Sequence, residues 1–388
     1  MAMSAGTQPD SALLAGQGRL GLPQVLILGG LGKIGRSIAE DLLAYTNAHL
    51  LLTRRCPPKP QEAAAWGSRV RCVSLDLADL DRLSTLIQGV DLVIHCAGPF
   101  DYRDQRVLRT CIEHRVSYLD VSDNPRFVQE AMVLGERAAS AGVTAVVSTG
   151  VFPGISNSMV RLGVEALEQA EAVHLSYVVA GSGGAGTTVM RTTFLEIRHA
   201  FQAWVEGTWR SIAPYSQPTW VQFPPPYDRA AVYWFSTSEA ATLPRSFPQL
   251  HTVTTKFGSL PGFYNTLTGA MTRLPGGVLQ QPWLIEALAK LSYGMTQITD
   301  RWTGTGVAIL ADVEGQSQGQ ATRARVTLSH PQMLRTVGAG TGSLAQLLLS
   351  QSWQAPGVWP VEQALPSPLF QKTLQQRGLS VTLDLLTP

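Results

Sequence analysis

From Val25 to Leu28 the chain is an unbroken apolar run closed by glycines, the pattern of a strand buried on both faces of a parallel sheet. Lys33–Tyr45 then follows with helical spacing, with Ile34, Ile38, Leu42 and Leu43 on one face. The two textures recur. Further strands are predicted at His49–Leu52, Val70–Leu75, Asp91–His95, Val116–Val121 and Val143–Ser148, and helices at Asp81–Gln88, Gln105–Glu113 and Pro125–Ala141. Strands alternating with helices at this pace predict an α/β fold with a doubly wound parallel sheet and right-handed crossovers.

After Gly154 the apolar runs lengthen and begin to alternate, at Val173–Gly181, Ala230–Ser236, His251–Phe257, Gly306–Gly315 and Ala321–His330. This predicts a second, more antiparallel or mixed sheet with one face covered. Helices are expected near Thr188–Val205, Pro282–Met295 and Leu334–Ser350. Pro-rich pieces at 57–60 and 223–228 read as loops. The domain organisation is therefore a disordered leader (1–22), a nucleotide-binding domain (23–152), an inserted α/β substrate and dimerisation domain (153–333), and a C-terminal segment returning to the first domain (334–388).

At 388 residues the chain is long for one core, which fits two domains. Its net charge is +2, so no bulk field argues for nucleic acid or an anionic membrane. The four cysteines form no CxxC pair, which points to a reducing compartment and a cytoplasmic location. No run of about 18 apolar residues appears, so no membrane span is expected. Residues Gly262–Met295 are weakly charged and leave peripheral membrane contact open, but they lack a basic flank; a helix pair covering a pocket is the simpler reading.

Gly30-Leu31-Gly32-Lys33-Ile34-Gly35 fits G-x-G-x-x-G, and here it follows a strand and opens a helix. In that setting Gly30 permits a tight turn, Gly32 admits a pyrophosphate to the backbone, and Gly35 lets the helix pack closely. An acid after the second strand would select NAD through the ribose 2′-hydroxyl. Thr53-Arg54-Arg55 stands there instead, and a guanidinium can fork onto a 2′-phosphate, so NADP(H) is the expected cofactor. Arg54 is the first choice and Arg55 the reserve. Asp76 and Leu77 should border the adenine; Cys96, Ala97, Gly98 and Pro99 should line the ribose and nicotinamide.

Together the segments "GGLGKIG", "HCAGPF", "SYLDVSD" and "TGVFPGISN" resemble the NADP-binding domain of saccharopine dehydrogenase/reductase-like proteins, and the resemblance continues more loosely to Trp359. It implies a Rossmann domain, an inserted domain whose sheet forms a homodimer contact, and NADP(H)-linked reduction of a C=N or C=C bond in a small-molecule substrate. It also implies that Pro153 and Gly154 form the turn facing the nicotinamide.

Other oxidoreductase chemistries lack their residues. No lysine has a tyrosine four positions before it, so the Tyr-x-x-x-Lys dyad is missing. The histidines show no metal-ligand spacing, and no metal site is expected. Hydride transfer needs a source for the final proton. Candidates are His95, Cys96, Tyr102, Asp120 and Asp123, with Asp120 and then Tyr102 preferred. His95 and Cys96 read more naturally as core residues, and Asp123 as the cap of the next helix. Water could also serve. Arg191 and Arg198 could meet a substrate acid, or merely pair with Asp or Glu. Aromatics around Trp204–Trp234 suit a core or dimer interface, or a bulky apolar substrate. Two other functions stay open: a catalytically silent NADP-binding scaffold or sensor, and a lipid-directed, trans-acting enoyl reductase.

Overall fold

The computed structural model describes residues 21–57, 66–274, 279 and 281–387. The expected leader and the first Pro-rich loop lie almost wholly outside the described residues. The strands run in chain order as β1 (Gln24–Leu28), β2 (His49–Arg54), β3 (Val70–Ser74), β4 (Leu92–His95), β5 (Ser117–Asp120), β6 (Thr144–Val147), β7 (Gln169–Ala180), β8 (Phe201–Val205), β9 (Thr208–Ile212), β10 (Thr219–Gln222), β11 (Arg229–Trp234), β12 (Thr252–Leu260), β13 (Val307–Ser317), β14 (Gln320–His330), β15 (Gly357–Pro360) and β16 (Thr382–Leu386).

The first sheet is parallel throughout, in the order β15-β6-β5-β4-β1-β2-β3. The order steps away from β1 in both directions, so the carboxyl ends of β1 and β4 flank a crevice. Alternate residues of β1 serve opposite faces. Val25 and Ile27 join Ile38 and Leu42 of the helix Lys33–Tyr45. Leu26 and Leu28 join Leu83 of the helix Leu80–Gln88 and Leu108 of the helix Arg106–His114.

The second sheet is mixed, in the order β10-β11-β12-β7-β13-β14-β16, with β12 and β7 parallel and the remaining pairs antiparallel. Along β14, Ala324, Val326 and Leu328 are buried while Arg323 is exposed, the expected one-sided alternation. The helix Ile155–Glu165 covers that inner face.

Several elements differ from expectation. The stretch Thr188–Val205 is helical only over Thr187–Glu196; Phe201–Val205 is strand β8, hairpinned to β9 with Ala203 buried beneath it. Pro125–Ala141 breaks into the helices Pro125–Met132 and Gly135–Ser140, which lets both Leu134 and Ala138 enter the core beside β15. The helix beginning at Pro282 continues to Thr303. The C-terminal segment does not return as one piece to the first domain. The helix Met333–Leu349 packs on the helix Lys33–Tyr45 and β15 extends the first sheet, but β16 closes the edge of the second sheet against β14.

A buried ion pair anchors this return. Arg377, only 2% exposed, donates to both oxygens of Asp41 at 2.9 and 2.8 Å. Its guanidinium also lies 4.4 Å from the Tyr45 ring centroid. Burial pushes the Asp41 carboxyl up, and Arg377 draws it back down. Arg377→Ala would strand that carboxylate, so a loss of about 3–5 kcal/mol is expected in urea unfolding. A loss below about 1 kcal/mol would remove the pair from the stabilising contacts.

Candidate active site

The turn after β1 is built by close backbone approach. Gly29 takes φ 75°, and a Cβ there would lie 3.0 Å from the Ala97 Cα. A Cβ on Gly35 would lie 2.6 Å from the Gly29 oxygen. The left-handed position of the turn is thus Gly29, one residue before the motif, and not Gly30, which is buried beneath the turn. The adjacent Gly29-Gly30 pair is the sequence signal for it. Gly30 N donates to the Ile27 oxygen at 3.1 Å and Gly32 N to the Gly29 oxygen at 2.9 Å. The Thr53 hydroxyl accepts from Gly29 N at 3.2 Å, tying the end of β2 to the turn. No side chain caps the helix Lys33–Tyr45, so its first N–H groups remain for phosphate.

A cavity of about 470 Å³ opens above this turn. It is lined by Leu31, Gly32, Lys33, Ile34, Gly35, Thr53, Arg54, Arg55, Asp76, Leu77 and the loop Cys96–Pro99, all expected cofactor residues. Pro153 and Gly154 do not line it. Gly154 sits against Gly150, and its N–H donates to Asn157 Oδ1 at 2.8 Å at the start of the helix Ile155–Glu165. It is Phe152 that faces a neighbouring cavity.

Several lining residues lie outside the expected set. Gly186, Thr188, Val189 and Thr192 come from the second domain, at and beyond the start of the helix Thr187–Glu196. Val121 and Phe100 add apolar wall. Asp123 enters at the far end. Arg103 donates through Nε to the Ala97 oxygen at 2.7 Å, and burial, then the nearby Arg55 charge, lowers its pKa. Arg54, Arg55 and Arg103 therefore gather at the cavity near Asp76, a cationic cluster suited to an anionic group.

The five proton-donor candidates fall in different places. His95 is buried among Phe100, Tyr118 and Phe127, and burial drops its pKa to about 3, leaving it neutral. Cys96 lines the cavity, but burial raises its thiol far above the usual range. Tyr102 is 58% exposed and borders a separate small cleft with Asp104 and Arg106. Asp120 is fully buried and lines neither large cavity; its Oδ1 accepts from Ser148 N at 2.8 Å and Ser122 N at 3.0 Å. Neither preferred candidate therefore lines the cofactor cavity or its apolar neighbour.

Asp123 occupies that space. The helix cap expected of it is made by Asn124, whose Oδ1 accepts from Phe127 N at 2.9 Å. Asp123 lines both the cofactor cavity and a second cavity of about 130 Å³. Burial, with the Asp101 and Asp120 charges adding, pushes its carboxyl up to about 6. Nearby Glu196 is pushed up to about 8 by burial and by Asp123 and Asp101.

The second cavity is walled by Phe152, Phe194, Phe235 and Phe257, with hydroxyls from Ser182, Thr237, Tyr264 and Thr296. Asp123 is the single charged side chain among its described lining residues. Arg191 is engaged by Glu286 at 2.6 Å and Arg198 lies 3.8 Å from Asp101, so both basic candidates pair with acids.

Residues 25–146 match the saccharopine dehydrogenase NADP binding domain family. The match spans most of the first domain and about a third of the chain. The cofactor is NADP(H), and the protein is of oxidoreductase type. Among relatives, the carboxynorspermidine synthase of Vibrio alginolyticus is 24% identical over 353 residues, 82% of this chain and 83% of that protein. A probable mitochondrial saccharopine dehydrogenase-like oxidoreductase of Arabidopsis thaliana is 26% identical over 119 residues, and the match spans 27% of this chain and 26% of that relative. An engineered D-amino acid dehydrogenase bound to NADP+ is 16% identical, covering 92% of this chain and 99% of that one with a TM-score of 0.46. No helix among the described residues is long and apolar enough to cross a membrane.

If the arginine cluster receives the 2′-phosphate, fluorescence titration should show NADPH binding about tenfold or more tighter than NADH. Arg54→Ala and Arg55→Ala should shrink that ratio while leaving NADH affinity nearly unchanged. Equal affinities in the unsubstituted protein would mean that the cluster serves another anion.

Proposed function

We propose that the protein is an NADPH-dependent reductase acting on the C=N bond of a largely apolar substrate seated between its two domains. The observation that carries this reading is Asp123, the lone charged side chain at the junction of the cofactor cavity and an apolar cavity. When bound, NADPH supplies the hydride. The rest of the chemistry falls to the chain.

An imine is a poor hydride acceptor until its nitrogen is protonated. A carboxyl held near pKa 6 is suited to that transfer at neutral pH, because an appreciable fraction still carries the proton. Proton and hydride together convert the C=N bond to an amine. After giving up its proton, the Asp123 carboxylate balances the iminium charge as the single charged side chain among the described residues lining the second cavity. The same carboxylate would oppose the enolate formed when a conjugated C=C bond takes hydride, which favours C=N over C=C. The apolar walls suit hydrocarbon on either side of the nitrogen. With no cation among the described residues lining the second cavity, a substrate carboxylate would find no partner among them, so an amino-acid imine is the weaker fit.

NADPH oxidation should be followed against a panel of cyclic and open-chain imines that differ in polarity. Apolar imines should turn over fastest. The dependence of kcat/KM on pH should fall as pH rises through about 6, because the protonated carboxyl is the competent form. Asp123→Asn should lower kcat by about a hundredfold or more and abolish that limb. Turnover confined to conjugated enones would transfer the assignment to C=C reduction. NADPH binding without turnover on either class would favour the silent scaffold.

A further inference from the structure

The helix Pro282–Thr303 carries two unlike faces. One lines the apolar cavity through Ser292 and Thr296. On the other lie Trp283, Ala287, Leu291, Gly294, Ile298 and Trp302, and at about 100° per residue these six positions fall within a single arc of about 100°. All six are exposed, Trp283 at 69% and Trp302 at 81%. The helix Phe263–Met271, which walls the same cavity through Tyr264 and Thr268, adds exposed Phe263 and Leu267. Large apolar side chains gathered this way mark an interaction surface.

The charges select its partner. Lys290 and Arg301 lie along one margin of the stripe, and Arg273 is exposed after the preceding helix. The acids of the long helix point elsewhere. Glu286 binds Arg191 at 2.6 Å, with Lys290 3.6 Å away on its other oxygen. Asp300 accepts from Ser182 N at 2.7 Å and Ser182 Oγ at 2.6 Å. The outer face is thus apolar with a cationic margin. A two-fold contact that brought this margin onto its own copy would set like charges against each other.

We propose that this face docks on an anionic lipid bilayer, with the helix lying in the interface. Trp283 and Trp302 are about 29 Å apart along the axis, and indoles at both ends with cations beside them are the composition of an interfacial helix. The other face of the same helix borders the apolar cavity, so docking would bring that cavity to the lipid surface. The proposal does not depend on which bond the enzyme reduces.

The test is flotation of the full chain with two vesicle types: phosphatidylcholine alone, and phosphatidylcholine with phosphatidylglycerol as roughly a third of the lipid. The protein should float with the anionic vesicles and remain behind with neutral ones. Trp283→Gln with Trp302→Gln should lower the bound fraction about fivefold or more, and so should Lys290→Glu with Arg301→Glu. NADPH titration should be unchanged in both double variants, showing that the fold is kept. No flotation with either vesicle, or unaltered flotation of the tryptophan variant, would overturn the proposal. So would light scattering that shows the tryptophan variant turning a dimer into a monomer while the unsubstituted protein ignores vesicles; that result would assign the face to a second copy.

Discussion

The Asp120 carboxylate, fully buried at the end of β5, holds together the place where the two domains meet. Its Oδ1 accepts from the N–H groups of Ser122 and Ser148, and its own carbonyl accepts from Thr149 N and Thr149 Oγ1, both at 2.8 Å. Thr149 in turn bonds Thr341 on the returning helix at 3.0 Å, and Ser148 Oγ lies 3.1 Å from Ser238 Oγ at the start of the helix Glu239–Ser246. One side chain therefore fixes the exit from β5, the exit from β6 and, through them, the second domain. Burial lifts its pKa to about 6, while the two backbone donors pull the other way. Asp123 lies three residues beyond this knot. Its position at the junction of two cavities is a consequence of where Asp120 holds the chain.

Charge is distributed along the cleft in the order the chemistry needs. Arg54, Arg55 and Arg103 gather at one end, where a phosphate-bearing ribose belongs. At the other end burial raises the carboxyls of Asp123 and Glu196, with Asp101 adding to both and Asp123 adding to Glu196. A dinucleotide with an added phosphate is anionic at one end and carries a positive ring at the other when oxidised, so this gradient favours one orientation over its reverse. The helix Thr187–Glu196 reinforces it. Its start faces the cofactor cavity, and Val189 and Thr192 wall both cavities, so the second domain closes on cofactor and substrate with one element.

The first domain was legible because its signals are local. A two-sided apolar strand, a glycine turn and an amphipathic helix each lie within about twenty residues, and their order dictates the sheet. The cofactor loops follow from that order, which is why Leu31 to Gly35 and Cys96 to Pro99 were identifiable as segments. Three-dimensional questions were not legible. Asp120 and Asp123 look equivalent in "YLDVSDN"; what separates them is that one carboxylate meets the turn after β6, 28 residues away, and the other meets a cavity. Asn124 hid the distinction further, since either residue could have capped the helix. Arg103 stands outside any motif and reaches the cofactor space by folding back on Ala97. In the second domain, β8 to β10 are short, β9 and β10 are largely exposed, and β16 gains its partner only through pairing with β14, so period alone could not find them.

A guanidinium is the usual answer to a substrate carboxylate, and the chain has 25 arginines to draw on. It places three of them at the cofactor phosphate end and spends Arg191 and Arg198 on Glu286 and Asp101 at the back of the cleft. The apolar cavity receives hydroxyls and a single carboxyl instead. Desolvating an anionic substrate there would leave its charge unmatched beside Asp123, a cost of several kcal/mol before any reaction begins. Under the proposed reading, a neutral imine would enter without that penalty and become charged only when the carboxyl next to it becomes the counter-ion. Substrate choice and proton delivery would then share one physical origin: the described lining of the apolar cavity holds one acid and no base.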